Sequence, residues 1–175
     1  MGTGADRTGR EGGGRASPAG FLLRFAVLTL VSFTGLSLVS DETLRPYLLF
    51  LAAICDRALA LTGLDVVRDG TVIGVNGFRV DVSGQCSALY ETALLGSAIL
   101  ASPGSLGRRL LGVLAGTSVL FVLNLVRIGS LVLIGAFAPQ WFDYAHLFVW
   151  QALLVAAVAA CWLAWLGEAR TAAAS

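Results

Sequence analysis

Four long apolar runs, separated by short polar stretches, dominate the sequence. They lie at 21–39, 86–102, 110–138 and 146–166. At ~1.5 Å of rise per helical residue, runs of this length approach or exceed the ~30 Å hydrocarbon core of a bilayer. The pattern predicts an all-α transmembrane helical bundle of about four spans, forming one integral membrane domain over residues 21–166.

A fifth apolar run, at 44–64, is interrupted near its middle by Asp56 and Arg57. Each of these charges costs ~2.5–3.5 kcal/mol at the centre of a membrane helix. The segment is therefore predicted to be a helix on the outer face of the membrane rather than a span.

Between residues 66 and 83 the pattern changes to a period of two. Two alternating stretches, 71–75 and 78–82, flank the dipeptide Asn76-Gly77, which suits a two-residue type I′ turn. Open sheet edges are not tolerated in lipid. We therefore expect a small β-hairpin outside the bilayer, directly before Cys86.

A pair of arginines sets the orientation. Arg108 and Arg109 lie in the short link between two apolar runs, and loops rich in arginine stay on the cytoplasmic side. This orientation places Cys86 and His146 at the outer, periplasmic face of the inner (cytoplasmic) membrane.

The two ends of the chain are predicted to be cytoplasmic tails. Residues 1–20 are rich in glycine, arginine and serine and are expected to be disordered, and residues 167–175 form the second tail. With the N-terminus inside and Cys86 outside, the number of crossings between them is odd, so only one of the runs 21–39 and 44–64 spans. The alternative is a five-span arrangement with the N-terminus outside, which requires translocation of the arginines in the tail.

Composition restricts the chemistry. Of 175 residues, 57% are hydrophobic and 13% charged, and the mean hydropathy of +0.81 is typical of an integral membrane protein. A net charge of +1 lacks the strong positive surface of nucleic-acid binders. The chain has no lysine, one histidine and no Cys-x-x-Cys pair, which excludes Schiff-base catalysis and multi-histidine metal sites. We expect no metal and no cofactor.

Three chemically distinctive residues are predicted to share one membrane level. Cys86 and His146 begin apolar runs at the outer surface, and Arg127, counted from Leu110, lies ~26 Å up its helix, near the same surface. A helix start favours the thiolate, the nucleophilic form of cysteine. An arginine at membrane depth is costly and usually functional. The arrangement is typical of a nucleophile, a proton-transfer group and an oxyanion binder.

Each of these residues also has a structural explanation. Cys86 could be a small packed residue and His146 an interface residue, while Arg127 could form an ion pair with Glu91, the only acid within a predicted span. Asn124 lies on the same helix face as Arg127. It can bind a shared partner or join neighbouring helices.

Three motifs carry a family resemblance, and they occur in the order Gly84-Gln-Cys86-Ser-Ala, Asn124-Leu-Val-Arg127-Ile and Asp143-Tyr-Ala-His146. Together with the hairpin before the cysteine, over about residues 44–150, they resemble the Cys, Arg and His motifs of the exosortase/archaeosortase family. One position departs from the family pattern, because the common Cys-Ser-Gly reads Cys86-Ser87-Ala88 here.

The resemblance implies an intramembrane cysteine peptidase or transpeptidase. Its substrates would be membrane-inserted exported proteins with a C-terminal sorting signal, made of a short motif, a transmembrane helix and a basic tail, cleaved at the outer face of the bilayer. Carried over to this chain, Cys86 would be the nucleophile, His146 the acid/base and Arg127 the stabiliser of the tetrahedral intermediate. The supporting residues would be Ser87, Glu91 and Asn124.

Two other classes of function remain open from the sequence. A non-enzymatic assembly or scaffold component of a polysaccharide or secretion system would use Arg127 only in its pair with Glu91. A small transporter or proton channel would need more polar residues along the bundle interior than these two.

Overall fold

The computed structural model describes residues 17–174, with side chains up to residue 167. The residues form a bundle of helices with one small antiparallel sheet inserted before the third helix. In chain order the helices are α1 (Pro18–Ser37), α2 (Asp41–Ala60), α3 (Leu89–Ala101), α4 (Leu106–Phe137), the short α5 (Phe142–Tyr144) and α6 (Trp150–Ala174). The predicted helical membrane bundle with a hairpin before Cys86 is thereby confirmed.

Within the described residues, three helical segments are long and apolar enough to cross a membrane: Pro18–Ser37, Leu106–Phe137 and Pro139–Gly167. The predicted fourth span is shorter in the structure, because α3 has 13 residues and therefore reaches only ~20 Å. α3 nevertheless belongs to the bundle, since it packs against α1, α4 and α6. The apolar run from residue 86 begins with non-helical backbone, which explains the difference.

The longest helix, α4, is longer than the hydrocarbon core of a bilayer is thick. Its 32 residues measure ~48 Å, against a hydrocarbon core of ~30 Å. Its first part packs with α3 and α6, whereas its other end also contacts α2 and the sheet. One end of α4 therefore packs in the helix bundle, and the other packs against α2 and the sheet.

The sheet has three strands, one more than the predicted hairpin. Its strands are β1 (Val66–Asp69), β2 (Val72–Val75) and β3 (Phe78–Asp81), in the order β1-β2-β3 and all antiparallel. Between β2 and β3, Asn76 (φ 52°) and Gly77 (φ 83°) both adopt positive φ, as a type I′ turn requires. β2 is the buried central strand, and it faces α2 and α4.

Helix α2 lies beside the outer part of α4. Its buried face is formed by Leu48, Leu51, Ala52, Cys55 and Leu59. It meets α4 through Phe50, which stacks on Phe121 at 6.2 Å, and through Cys55, whose thiol lies 3.8 Å from the Leu125 carbonyl oxygen. Helix α2 is not among the spanning candidates of the described chain.

Orientation of α2 yields the first testable prediction. Because Asp56 and Arg57 interrupt the apolar run near the end of α2, and the helix packs on the sheet-bearing part of α4, reporter fusions after Ser40 and after Gly63 should both report the outer side. A fusion after Gly104 should report the cytoplasm, because Arg108 and Arg109 follow it. A cytoplasmic signal after Gly63 would show that α2 crosses the membrane.

The ends of the predicted domain differ slightly from the structure. Helix α1 begins at Pro18, with the Ser17 side chain accepting a hydrogen bond from the Gly20 amide, so the last residues of the predicted tail 1–20 are helical. The remainder of that tail, 1–16, lies outside the described residues. At the other end, α6 continues to Ala174, so most of the predicted tail 167–175 also has helical backbone.

Candidate active site

Cys86 lies in a tight loop between the sheet and α3. The loop consists of a 3-10 turn, Gly84–Cys86, followed by Ser87 and Ala88 before the helix begins. Cys86 is 8% exposed and packs in a cluster formed by α2, the sheet and α4. The cysteine therefore lies where α2, the sheet and α4 meet.

Side chains from two helices hold consecutive carbonyl groups of this loop. Asn124 of α4 donates from Nδ2 to the Cys86 carbonyl oxygen at 2.8 Å, and Tyr47 of α2 donates from its hydroxyl to the Ser87 carbonyl oxygen at 3.3 Å. Both carbonyls would otherwise be free, because the loop is not helical. The two hydrogen bonds fix the backbone on which the thiol is carried.

Ser87 stabilises the same loop from inside. It is 2% exposed, and its hydroxyl donates to the Gly84 carbonyl oxygen while lying 3.4 Å from the Leu89 amide, which donates to it. The hydroxyl thus closes the 3-10 turn and satisfies one of the free N–H groups at the start of α3. The hydrogen bonds of Ser87 therefore fix the conformation of the loop.

Ala88 has a left-handed backbone, with φ 54° and ψ 21°. This conformation costs a residue with a Cβ roughly 1–2 kcal/mol, whereas glycine adopts it freely. In the family that the motifs resemble, glycine is common at the position of Ala88. The structure explains that preference, and alanine occupies the strained position here.

We expect Ala88→Gly to preserve the loop and raise the free energy of unfolding by up to about 1 kcal/mol, less than the full strain because glycine also gains freedom in the unfolded chain. Ala88→Val should be destabilising, because a β-branched residue is disfavoured at this φ. Thermal unfolding of the purified variants in detergent would test both. Equal stability of the glycine and valine variants would contradict the assignment of strain to this residue.

Arg127 is buried without a charged partner. It is 4% exposed, one helical turn beyond Asn124 on α4, and its Nε and Nη1 atoms have no hydrogen-bond acceptor. In the chain from residue 17 to 167 it forms no ion pair with Glu91, which lies half-buried in the first turn of α3. The ion pair considered from the sequence is therefore absent from this part of the structure.

The carbonyl oxygen of the Asn124 side chain is also buried and unpaired. Unpaired buried donors and acceptors are rare in folded proteins, because each costs about 1–3 kcal/mol. Arg127 and Asn124, one turn apart on α4, therefore have two unpaired donor nitrogens and one unpaired acceptor oxygen among the described residues. Such groups are satisfied when a polar ligand arrives.

His146 lies in an irregular part of the last membrane segment. Residues Ala145–Val149 form a π-helix, a rare element that is frequently found at functional sites. The imidazole is half-buried and packs on the ring of Phe142, with centroids 5.6 Å apart. It is close enough to Arg127 and Asp143 for their charges to act on it.

The other two cysteines have the environments of packed thiols. Burial raises the pKa of Cys55 to about 11, so this thiol is protonated at neutral pH and is a poor nucleophile. Cys161 packs against the cluster between α3, α4 and α6, distant in the fold from the Cys86 loop. Neither has the loop position of Cys86.

Of the sequence-predicted residues, Asn124 and Cys86 are in direct contact, through the Asn124 amide and the Cys86 carbonyl group. Arg127 lies on the next turn of α4 after Asn124, and His146 lies in the segment that follows this helix. A family model for transmembrane exosortases matches residues 14–165, nearly the whole chain and all three motifs. The chain belongs to the transmembrane exosortase family. No curated protein and no solved structure matches it.

Membership confirms the resemblance drawn from the motifs and identifies this exosortase as a membrane-embedded, sorting-related protein.

Sequence reasoning missed two residues of the candidate site. Tyr47 holds the Cys86 loop, and Phe142 packs on the histidine. Tyr47 carried no signal because it stands alone in an apolar helix. The aromatic residues Trp141, Phe142 and Tyr144 precede His146, but such residues are equally typical of a membrane interface, so the sequence did not indicate the contact between Phe142 and the histidine.

Proposed function

We propose that this exosortase is an intramembrane cysteine peptidase or transpeptidase that cleaves C-terminal sorting signals of exported proteins. The observation that supports this most directly is the unpaired Arg127 guanidinium beside the Asn124-held Cys86 loop. A structural arginine in this position would have an acidic partner, whereas an arginine that binds a transient oxyanion is left with free donors.

In the proposed reaction, the Cys86 thiolate attacks the carbonyl carbon of the scissile peptide bond. The carbonyl oxygen becomes an oxyanion, towards which the N–H groups of Arg127 are the available donors. His146 gives a proton to the leaving amine, the C–N bond breaks, and a thioester remains on Cys86. An amine acceptor or water then attacks the thioester, gives its proton to His146 and releases the thiolate.

The local backbone favours this nucleophile. The residues after Cys86 enter α3, whose first amide groups and positive dipole end lie next to the loop. Free N–H groups at a helix start stabilise an anion by ~0.3–1 kcal/mol, and more where water is excluded.

The substrates fit the membrane location of the site. We propose membrane-inserted proteins with a short motif, a transmembrane helix and a basic tail, because a helix of that kind would hold its preceding motif at the outer surface of the bilayer. The arginines at 108 and 109 support a cytoplasmic link, and with it a periplasmic orientation of this surface in the inner membrane. Nucleic acid has no place in this proposal.

The non-enzymatic scaffold is the second candidate from the sequence. It depends on Arg127 serving as the ion-pair partner of Glu91, and the described chain contains no such pair. The scaffold hypothesis also takes Cys86 as merely packed, which its burial in the cluster of α2, the sheet and α4 allows, so the absent ion pair is the observation that separates the two candidates. The two functions are separated by the experiment that follows.

We expect His146→Ala to slow cleavage by ~10²–10⁴-fold, because proton transfer to the leaving amine is lost. The measurement is cleavage of a reporter that ends in a short motif, an apolar helix and an arginine-rich tail taken from the same genome, normalised to membrane-inserted protein. Gln151→Ala is the matched control, since this exposed residue lies about one turn further along the same helix. Cleavage at the unmodified rate in His146→Ala would overturn the assigned role.

A further inference from the structure

A row of three rings connects the sheet to the histidine. Phe78, the first residue of β3, packs on Phe142 with ring centroids 5.1 Å apart and planes at 60°. Phe142 in turn packs on the imidazole of His146 at 5.6 Å and 31°. The last ring of the row is thus the proposed acid/base, and the first belongs to another element of the fold.

Phe78 is held on both of its sides. It directly follows the Asn76-Gly77 turn and pairs with Val75 across the hairpin, so its backbone is fixed by the turn and by the central strand. Its ring lies against α4 at Gly135, a residue without a Cβ atom. A Cβ atom added at this position would be only 1.9 Å from the Phe78 Cε1 atom. Any larger residue at position 135 would displace the ring.

The helical segment that carries His146 is less regular than the strand and the helix that hold Phe78. A 3-10 turn at Pro139–Trp141, three α-helical residues and a π-helix follow one another between α4 and α6. Such interruptions of the α-helix are frequent at functional sites. Within this irregular segment, the Phe142 ring is an aromatic contact that can orient the imidazole.

From this arrangement we propose that Phe78 acts through Phe142 as a positioning residue for His146. The hairpin of the sheet, rather than the last helix alone, sets the orientation of the imidazole. The geometric part of the proposal stands by itself, and only its effect on catalysis rests on the proposed function. Phe78 touches neither the thiol nor the substrate bond in this scheme.

The single histidine of the chain makes a direct test possible. Full-length protein labelled with ¹⁵N-histidine in nanodiscs gives imidazole signals from His146 alone. We expect Phe78→Leu to shift or broaden these signals, although Phe78 does not contact the imidazole. Phe50→Leu is the matched control, because it removes a ring from the Phe50–Phe121 stack on α2, and it should leave the His146 signals unchanged.

A double-mutant cycle tests the route through Phe142. If Phe78 acts through Phe142, the variant carrying both Phe78→Leu and Phe142→Leu should be no more impaired than Phe142→Leu alone. In reporter cleavage, each variant should lose about 10- to 100-fold in kcat, because a misplaced catalytic group loses this much, with KM within about twofold. Purely structural damage would instead lower the amount of inserted protein.

The outcomes separate this inference from the proposed function. Unchanged His146 signals in well-inserted Phe78→Leu would overturn the positioning role, and so would additive effects in the cycle. Altered signals together with normal cleavage in His146→Ala would support the positioning contact and reject His146 as the acid/base.

Discussion

Cys86→Ala is expected to abolish cleavage of the sorting reporter at normal levels of inserted protein. In the proposed reaction no other side chain can form the thioester, since Cys86 alone combines the loop before α3 with the contact from Asn124. The loop itself should survive the change. Cys86 is held through its carbonyl group, and this hydrogen bond does not depend on the side chain.

Cys86→Ser should recover little of the activity. A serine hydroxyl needs a strong base to become a nucleophile, whereas a thiol is partly ionised near neutral pH. Cys55→Ala and Cys161→Ala are the matched controls, because they remove the other two thiols from packed positions, and both should retain full cleavage. Substantial activity in Cys86→Ala, or loss of activity only in a control, would exclude Cys86 as the nucleophile.

Much of the fold could be predicted because the sequence signals were local. The two-residue turn at Asn76-Gly77 requires positive φ twice, and few sequences other than Asn-Gly satisfy that requirement cheaply. The first strand was missed because Val66–Asp69 is short, exposed along most of its length and carries two charges. It forms by pairing with β2, and pairing across a turn leaves no periodic pattern in so short a strand.

The length of α3 was overestimated for a related reason. Apolarity marks the residues that enter the membrane environment, but it does not distinguish a helix from a packed loop of small residues. In 84–88 the chain adopts a 3-10 turn and a left-handed alanine, and alanine is ordinarily a strong helix former. Hydrogen bonds from Asn124, Tyr47 and Ser87 hold this backbone in place.

Candidate site residues were easier to find than their partners. A lone arginine at membrane depth and a lone histidine at a helix start are conspicuous in a chain that is 57% hydrophobic. Their contacts are not conspicuous in the sequence. Whether two side chains face each other depends on how each helix is rotated about its own axis. The hypothesis of an ion pair between Arg127 and Glu91 was reasonable in charge and depth, yet the described structure leaves Arg127 without it.

Arg127→Lys is expected to lose most of the cleavage activity. A lysine keeps the charge but has no planar fork of donors, and its shorter head cannot reproduce two N–H groups in fixed directions. Removal of one oxyanion donor typically costs ~2.7–4 kcal/mol of transition-state stabilisation. Initial rates of reporter cleavage, normalised to inserted enzyme, would measure the loss, and Arg24→Lys on the exposed face of α1 is the matched control.

The double variant with Arg127→Leu and Glu91→Leu decides between catalysis and structure. A buried guanidinium with unpaired donors reduces stability, so its replacement by leucine should leave the unfolding temperature equal or higher. If Arg127 serves only the fold, the double variant should cleave normally, since no unpaired charge remains. If Arg127 binds the oxyanion, the protein should be stable and inactive, because evolution then retains an unfavourable buried charge for the sake of the transition state. We expect the second result, with normal insertion, unchanged Cys86 alkylation and no measurable cleavage.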